Sequence, residues 1–241
     1  MPNHVTNKVI FIGQKADVLK LLDTIGSVKG ENGHLEYNII DFNKIIPMPS
    51  VLHNMSSPPR VVSEAEYKKE MELLKAKKKD PSLITDVEKL CGLTHSITQK
   101  MYNSYMRKYG AADWYEWSCN NWGTKWNAYS QFKDEMLDTN SGNVQTAIIF
   151  DTAWSTPYPV IEKLHEMFPS INIELRYADE DASSNTGIIK FKPDQCSEIY
   201  NPDNGSDEAW KLYFELHPGM EDEFVKNKKG EYVYKEDIED E

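Results

Sequence analysis

Cys91 and His95 stand four residues apart, a spacing that on a helix would bring a thiol and an imidazole together as nucleophile and base. Gly92 lies between them and breaks the helical geometry that such a pair needs, and no carboxylate is placed to orient the imidazole. The other histidines (His4, His34, His53, His165, His217) show neither HxxxH nor HExxH spacing, so no metal site is expected. Gly26, Gly30 and Gly33 mark a loop without the GxGxxG order that cradles phosphate, and there is no Walker loop or GxSxG elbow. Asp179, Glu180 and Asp181 sit in a polar turn and read as solvent-facing carboxylates. No catalytic residue, cofactor or metal follows from these types and spacings. The reading leans to a non-enzymatic protein, with an enzyme of unrecognised type as the remaining alternative.

The residues left to do work are aromatic. Residues 113–128, DWYEWSCNNWGTKWNA, hold four of the six tryptophans: Trp114, Trp117, Trp122 and Trp126. Trp residues at helix and strand positions pack cores well, since each buries a large area. On that reading Asn121 closes a helix end and Gly123 takes the left-handed conformation. The sharper reading is a Trp-rich binding surface or pocket of Trp117, Trp122, Trp126 and Trp154, with Asn121, Thr124, Lys125 and Asn127 as polar handles. Burial of Trp122 and Trp154 would favour packing; an exposed cage would favour a ligand.

The elements that must position these residues follow from periodicity. A strand is expected over 5–12, then a helix over 17–25 with Val18, Leu21, Leu22 and Ile25 on one face. Residues 35–46 read as extended, ended by Pro47 and Pro49. Residues 61–111 read as a helical insert. Ser63 and Glu66 form a capping box, Pro81 restarts a helix, and Thr94 caps a third that ends at Gly110. Lys68, Lys69, Lys75, Lys77, Lys78 and Lys79, mixed with Glu residues, look like a solvated helix face rather than a basic contact. Asp113 caps a helix through Trp122. A strand over 124–132 would bury Trp126, Ala128 and Phe132, and would form a hairpin with a strand over 144–153. Ser155 or Thr156 caps the next helix, and strands follow over 171–177 and 187–191. Ser206 caps a last helix with Trp210, Tyr213 and Phe214. Residues 221–241 form an acidic tail, a solubilising or poorly ordered end with one possible strand over 231–234.

With the insert set aside, the order is β-α-β-β-α-β plus an extra strand and helix. That is an α+β fold, the ferredoxin-like split βαβ antiparallel sheet, with a helical insert and a C-terminal extension. The expected domain is single over 1–241: core 1–60 and 112–205, insert 61–111, and C-terminal helix and tail 206–241. The net charge of −12 and 39% hydrophobic content describe a soluble protein that repels nucleic-acid phosphate and anionic membrane. Three scattered cysteines without CxxC indicate a reducing compartment, and no apolar run approaches the ~18 residues of a membrane helix. No signal peptide is visible, so a cytoplasmic location is expected. An RNA-recognition module shares the topology. It carries a Lys/Arg-Gly-aromatic signature on its third core strand, where this chain reads VQTAIIFDTA.

Four segments together resemble the YubB ferredoxin-like family, also described as Api-type proteins, found on phages and plasmids. They are residues 1–7 (MPNHVTN), 42–49 (FNKIIPMP), 121–128 (NWGTKWNA) and 152–155 (TAWS). The resemblance spans roughly residues 1–180 and departs at Thr156, where such proteins tend to carry a proline. It implies a ferredoxin-like core and a mobile-element origin, and no reaction. The expectation is then a non-enzymatic phage or mobile-element accessory protein that binds a host macromolecule, a host protein before others, as in counter-defence. The alternatives are a small-ligand or nucleotide-binding domain at the tryptophans, and nucleic-acid binding through the open sheet face. A further idea is that the acidic tail mimics nucleic acid. Nothing in the sequence sets an oligomeric state.

Overall fold

The computed structural model describes residues 3–31, 34–53, 55–85, 96–139 and 142–238. The chain divides into two compact units, Met1–Ile46 with Gly123–Glu241, and Pro47–Trp122. The second unit takes in the expected insert, 61–111, together with residues 47–60 and 112–122.

The larger unit opens with β1 (His4–Gly13), whose residues alternate between buried and half-buried because successive side chains leave a strand on opposite faces. The helix Lys15–Ile25 follows, burying Val18, Leu21 and Ile25. Gly26 is extended (φ −76°, ψ 154°), so the chain runs straight on into a hairpin, β2 (Ser27–Glu31) and β3 (His34–Asn38), where a loop was expected. The expected extended run over 35–46 also ends early. Asp41 accepts from the Asn43 N–H at 3.0 Å and caps a short helix, Phe42–Ile45.

In the smaller unit, β4 (Val61–Val62) pairs in parallel with β5 (Ile97–Thr98). Between them the Ser63–Glu66 capping box opens the helix Glu64–Lys79, which buries no side chain, consistent with a solvated lysine face. The expected Thr94 cap, and the Cys91–His95 spacing with it, lie outside the described residues. The helix Gln99–Tyr109 is instead capped by Thr98 and stops at left-handed Gly110. The helix Trp114–Trp122 is capped by Asp113, which accepts from the Glu116 N–H at 2.8 Å.

The larger unit resumes with β6 (Tyr129–Lys133), β7 (Leu137–Asp138) and β8 (Val144–Ala153). The helix Tyr158–Met167 and β9 (Asn172–Asp179), β10 (Gly187–Phe191) and β11 (Glu198–Tyr200) follow. The main sheet is antiparallel in the order β11-β10-β9-β1-β8-β6, with β7 beside β8. Its middle, β9-β1-β8-β6, is the ferredoxin-like order, and the fold is α+β as expected. Val9, Phe11, Ile148, Phe150, Ile173 and Leu175 share one face, which the two helices cover with Val18, Leu21, Ile161 and Leu164.

Two local expectations fail on this sheet. The expected strand over 124–132 begins only at Tyr129, because residues 123–126 bend and Thr124 is turned away from any ladder. A bulge at Ser130 (φ 51°) then breaks the alternation, so Ala128 is buried while Phe132 is 58% exposed. In the acidic tail, the possible strand over 231–234 is present as Tyr232–Tyr234 and has a partner strand that was not expected. The helix Asp207–Leu216, capped by Ser206, packs on β9 and β1 from the other side of the sheet. A hairpin of β12 (Phe224–Lys226) and β13 (Tyr232–Tyr234) packs Phe224 against Trp210, Tyr213 and Leu216 of that helix.

Candidate functional site

Residues 3–7, 42–46, 123–128 and 152–155 of the quoted segments lie in the larger unit, and their polar side chains form a buried to half-buried belt. Asn7 is fully buried at the middle of it. Its amide donates to the Val5 carbonyl and to Thr152 Oγ1, both at 2.8 Å, and its Oδ1 accepts from Thr156 Oγ1 at 2.7 Å. Thr156 was expected to cap the following helix. Its hydroxyl is committed to Asn7, and the helix starts after Pro157 without a side-chain cap. Thr152 donates to the Ser155 carbonyl at 2.8 Å, and Ser155 donates to the Gly123 carbonyl. Thr124 Oγ1 donates to the Ala153 carbonyl (2.8 Å) and accepts from its N–H (3.2 Å). Asn127 donates to Asp41 Oδ1 at 2.7 Å and accepts from the Phe42 N–H at 2.8 Å. Gly123 is left-handed (φ 76°), and a Cβ there would meet Pro159 Cδ at 2.8 Å. Removing one partner from such a belt strands a buried polar group, at about 1–3 kcal/mol.

Three residues of the same segments point outward. Trp126 is 38% exposed and Trp154 is 43% exposed. The Lys125 ammonium lies 4.8 Å from the Trp126 ring centroid and 4.7 Å from that of Trp154, so both rings engage one cation. Trp126 meets Tyr129 edge-on at 6.2 Å, and a 2.6 Å hydrogen bond joins the Tyr129 hydroxyl to His4 Nδ1. Burial, then the carboxylates of Asp151 and Glu180, push the Tyr129 hydroxyl up to about 12.

Trp154 carries a further peculiarity. Its φ is 74°, in the left-handed region that a bulky side chain occupies at a cost of about 1–3 kcal/mol. Its N–H donates to the Asn3 carbonyl at 2.9 Å, which helps hold it there.

Residues 125–218 match the family model described as a ferredoxin-like domain in Api92-like protein. The match runs from Lys125 to the end of the C-terminal helix and takes in every strand of the main sheet except β1. A comparison with curated proteins gives no match. A crystal structure of a protein api92 from Yersinia pseudotuberculosis aligns over 84% of this chain and 99% of that chain, with 10% identity and a TM-score of 0.38.

The eight residues singled out from sequence thus fall into three groups. Thr124 and Asn127 are belt residues. Lys125, Trp126 and Trp154 form the outward surface. Trp117, Asn121 and Trp122 belong to the smaller unit. There Trp117 and Trp122 are 5% and 4% exposed and pack edge to face at 5.5 Å, while the Asn121 amide donates back to the Trp117 carbonyl at 2.8 Å. The two indoles are therefore buried, and Asn121 bonds back within its own helix.

Sequence reasoning missed a cluster on the sheet face beneath the C-terminal helix. Thr6 donates to Asp151 at 3.0 Å and stands 3.3 Å from His217 Nε2, while His217 Nδ1 is 3.1 Å from the Tyr213 carbonyl. Burial holds the His217 imidazole below its ordinary pKa, partly offset by its bond to Tyr213 and by Asp151, Asp179 and Glu180. Asp179, expected in solvent, is buried and accepts from the Asn3 amide and the Asp181 N–H. Only the alternation of β1 hinted that Thr6 faces this side. A cavity of about 90 Å³ lined by Lys8, Ile10, Asp134, Glu135, Leu137 and Gln145 opens on the sheet. That is well below the roughly 300–1,000 Å³ of small-molecule sites. Among the described residues no group of three or more His, Cys, Asp or Glu could hold a metal ion, and no helix is long and apolar enough to cross a membrane.

Proposed function

We propose that this protein works by binding a partner macromolecule on the surface formed by Lys125, Trp126 and Trp154. One observation carries the reading. Trp154 is held in a costly left-handed conformation and still spends 43% of its surface on solvent. Strain of that kind at an exposed aromatic is retained when function needs it, since a glycine there would be more stable. Trp is also the residue type most enriched at the energetic centres of protein interfaces. We take the partner to be a protein of the host cell, on the strength of the resemblance to phage- and plasmid-borne Api-type proteins. Counter-defence in the host cytoplasm is the role that fits this origin.

The test is affinity capture from host lysate with three proteins: the unaltered chain, Trp154→Gly and Trp126→Ala. The expected result is a stoichiometric partner that both variants lose while remaining folded by circular dichroism. A partner retained by both variants would move the binding elsewhere on the molecule.

A further inference from the structure

The chemistry of the occupant can be read from what the two indoles already hold. This inference rests on the reading of Lys125, Trp126 and Trp154 as a docking surface. We propose that Trp126 and Trp154 form a cage for a cationic side chain, an arginine or lysine of a partner protein, and that Lys125 is its resident plug. Three observations support the sign and the size. The Lys125 ammonium sits within 5 Å of both ring centroids, so the gap admits a cation with both π-faces engaged. Carboxylate charge stands close by: Asp151 pairs across the sheet with Tyr129, which packs edge-on against Trp126. The chain as a whole carries −12, which draws basic partners and repels phosphate or acidic ones.

An internal lysine suits the role of plug. Its compact ammonium is strongly hydrated, whereas a guanidinium is weakly hydrated and stacks flat on an aromatic face. An incoming arginine can therefore compete with Lys125 for the two ring faces. While no partner is present, Lys125 shields two exposed indoles that would otherwise offer an apolar patch to chance contacts.

The experiment follows the six indole N–H signals of the full ¹⁵N-labelled chain by NMR. Acetyl-arginine amide is titrated in, with acetyl-citrulline amide as a control of the same shape without charge. Arginine should shift the Trp126 and Trp154 signals, assigned by Trp126→Ala and Trp154→Gly, and citrulline should not. Lys125→Met empties the cage, and its midpoint for arginine should fall about 10-fold. Equal response to citrulline, or a Lys125→Met midpoint that is unchanged or raised, would overturn the cage. An acetyl-aspartate amide that shifts the unaltered chain but not Lys125→Met would also overturn it, by showing that Lys125 itself grips an anionic partner. Those results leave the docking surface standing. The docking surface fails separately, if Trp126→Ala and Trp154→Gly both keep the captured partner.

Discussion

Two pairs of tryptophans in this protein have opposite fates. Trp117 and Trp122 lie on one helix of the smaller unit, meet edge to face, and show 5% and 4% of their surface. Trp126 and Trp154 lie in the larger unit, flank one lysine, and show 38% and 43%. The first pair gains from leaving water, since each indole buries a large apolar area. The second is kept in water by neighbours that are themselves fixed, since Thr124, Ser155 and Asn127 are tied to Ala153, Gly123 and Asp41. The same side chain is packing material in one place and a displayed surface in the other.

The comparison breaks most readily at the buried pair. Trp122→Ala should cost about 3–5 kcal/mol in urea unfolding, because a large cavity replaces a packed ring. Its folded fraction should bind partner as before. A cost below 1 kcal/mol would remove the contrast between the pairs. Next in size is the belt. Asn7→Ala should cost about 1–3 kcal/mol, since Thr156 and Thr152 lose a fully buried partner. Should stability fall without any change in the indole signals of Trp126 and Trp154, the belt would not be what holds the surface in place.

Trp154→Gly should do the reverse of Trp122→Ala. Relief of the positive φ stabilises the fold by about 1 kcal/mol or leaves it unchanged, while partner capture is lost. A loss of more than 2 kcal/mol would show that Trp154 is a packing residue after all. The field around the exposed pair is read by alkaline titration at 295 nm. Tyr129, near 12, keeps its proton beyond the ordinary tyrosine value of 10. It therefore contributes stability that is complete below pH 10 and lost as pH rises toward 12. Asp151→Asn should bring that titration down; if it does not, the negative field beside Trp126 comes from elsewhere.

The smallest effect is expected at the C-terminal helix. The folded pKa of His217 lies below the unfolded 6.5, so the unfolded chain binds the proton first. Stability is retained above pH 6.5 and declines as pH falls below it, and His217→Gln should flatten that acid limb of the stability curve.

Much of the fold was legible because it rests on short-range rules. The β-branched and aromatic run of β1, the face of the helix Lys15–Ile25, the Ser63–Glu66 box and the Ser206 cap are each set by residues close together in sequence. The hairpin after Gly26 was hidden because a glycine permits a turn without requiring one. The helix Phe42–Ile45 was hidden because Asp41, its cap, sits inside an apolar run. The ordered tail was hidden for a different reason: its acidic residues dominate the composition, while Trp210, Tyr213 and Phe224 find one another only after the chain has folded back.

For the candidate site, sequence determined the parts and tertiary structure determined their use. Residue types and spacing alone gave the ferredoxin-like order of elements, the absence of recognisable catalytic or metal-binding motifs, and the eight residues worth watching. They could not sort Thr124 and Asn127 from Lys125 and Trp126, which they bracket in one short segment, or from Trp154. That choice depends on partners far away in the chain: Ala153 for Thr124, Asp41 for Asn127, Trp154 for Lys125. A side chain is buried or displayed according to which distant groups close over it, and that is decided only when the sheet assembles.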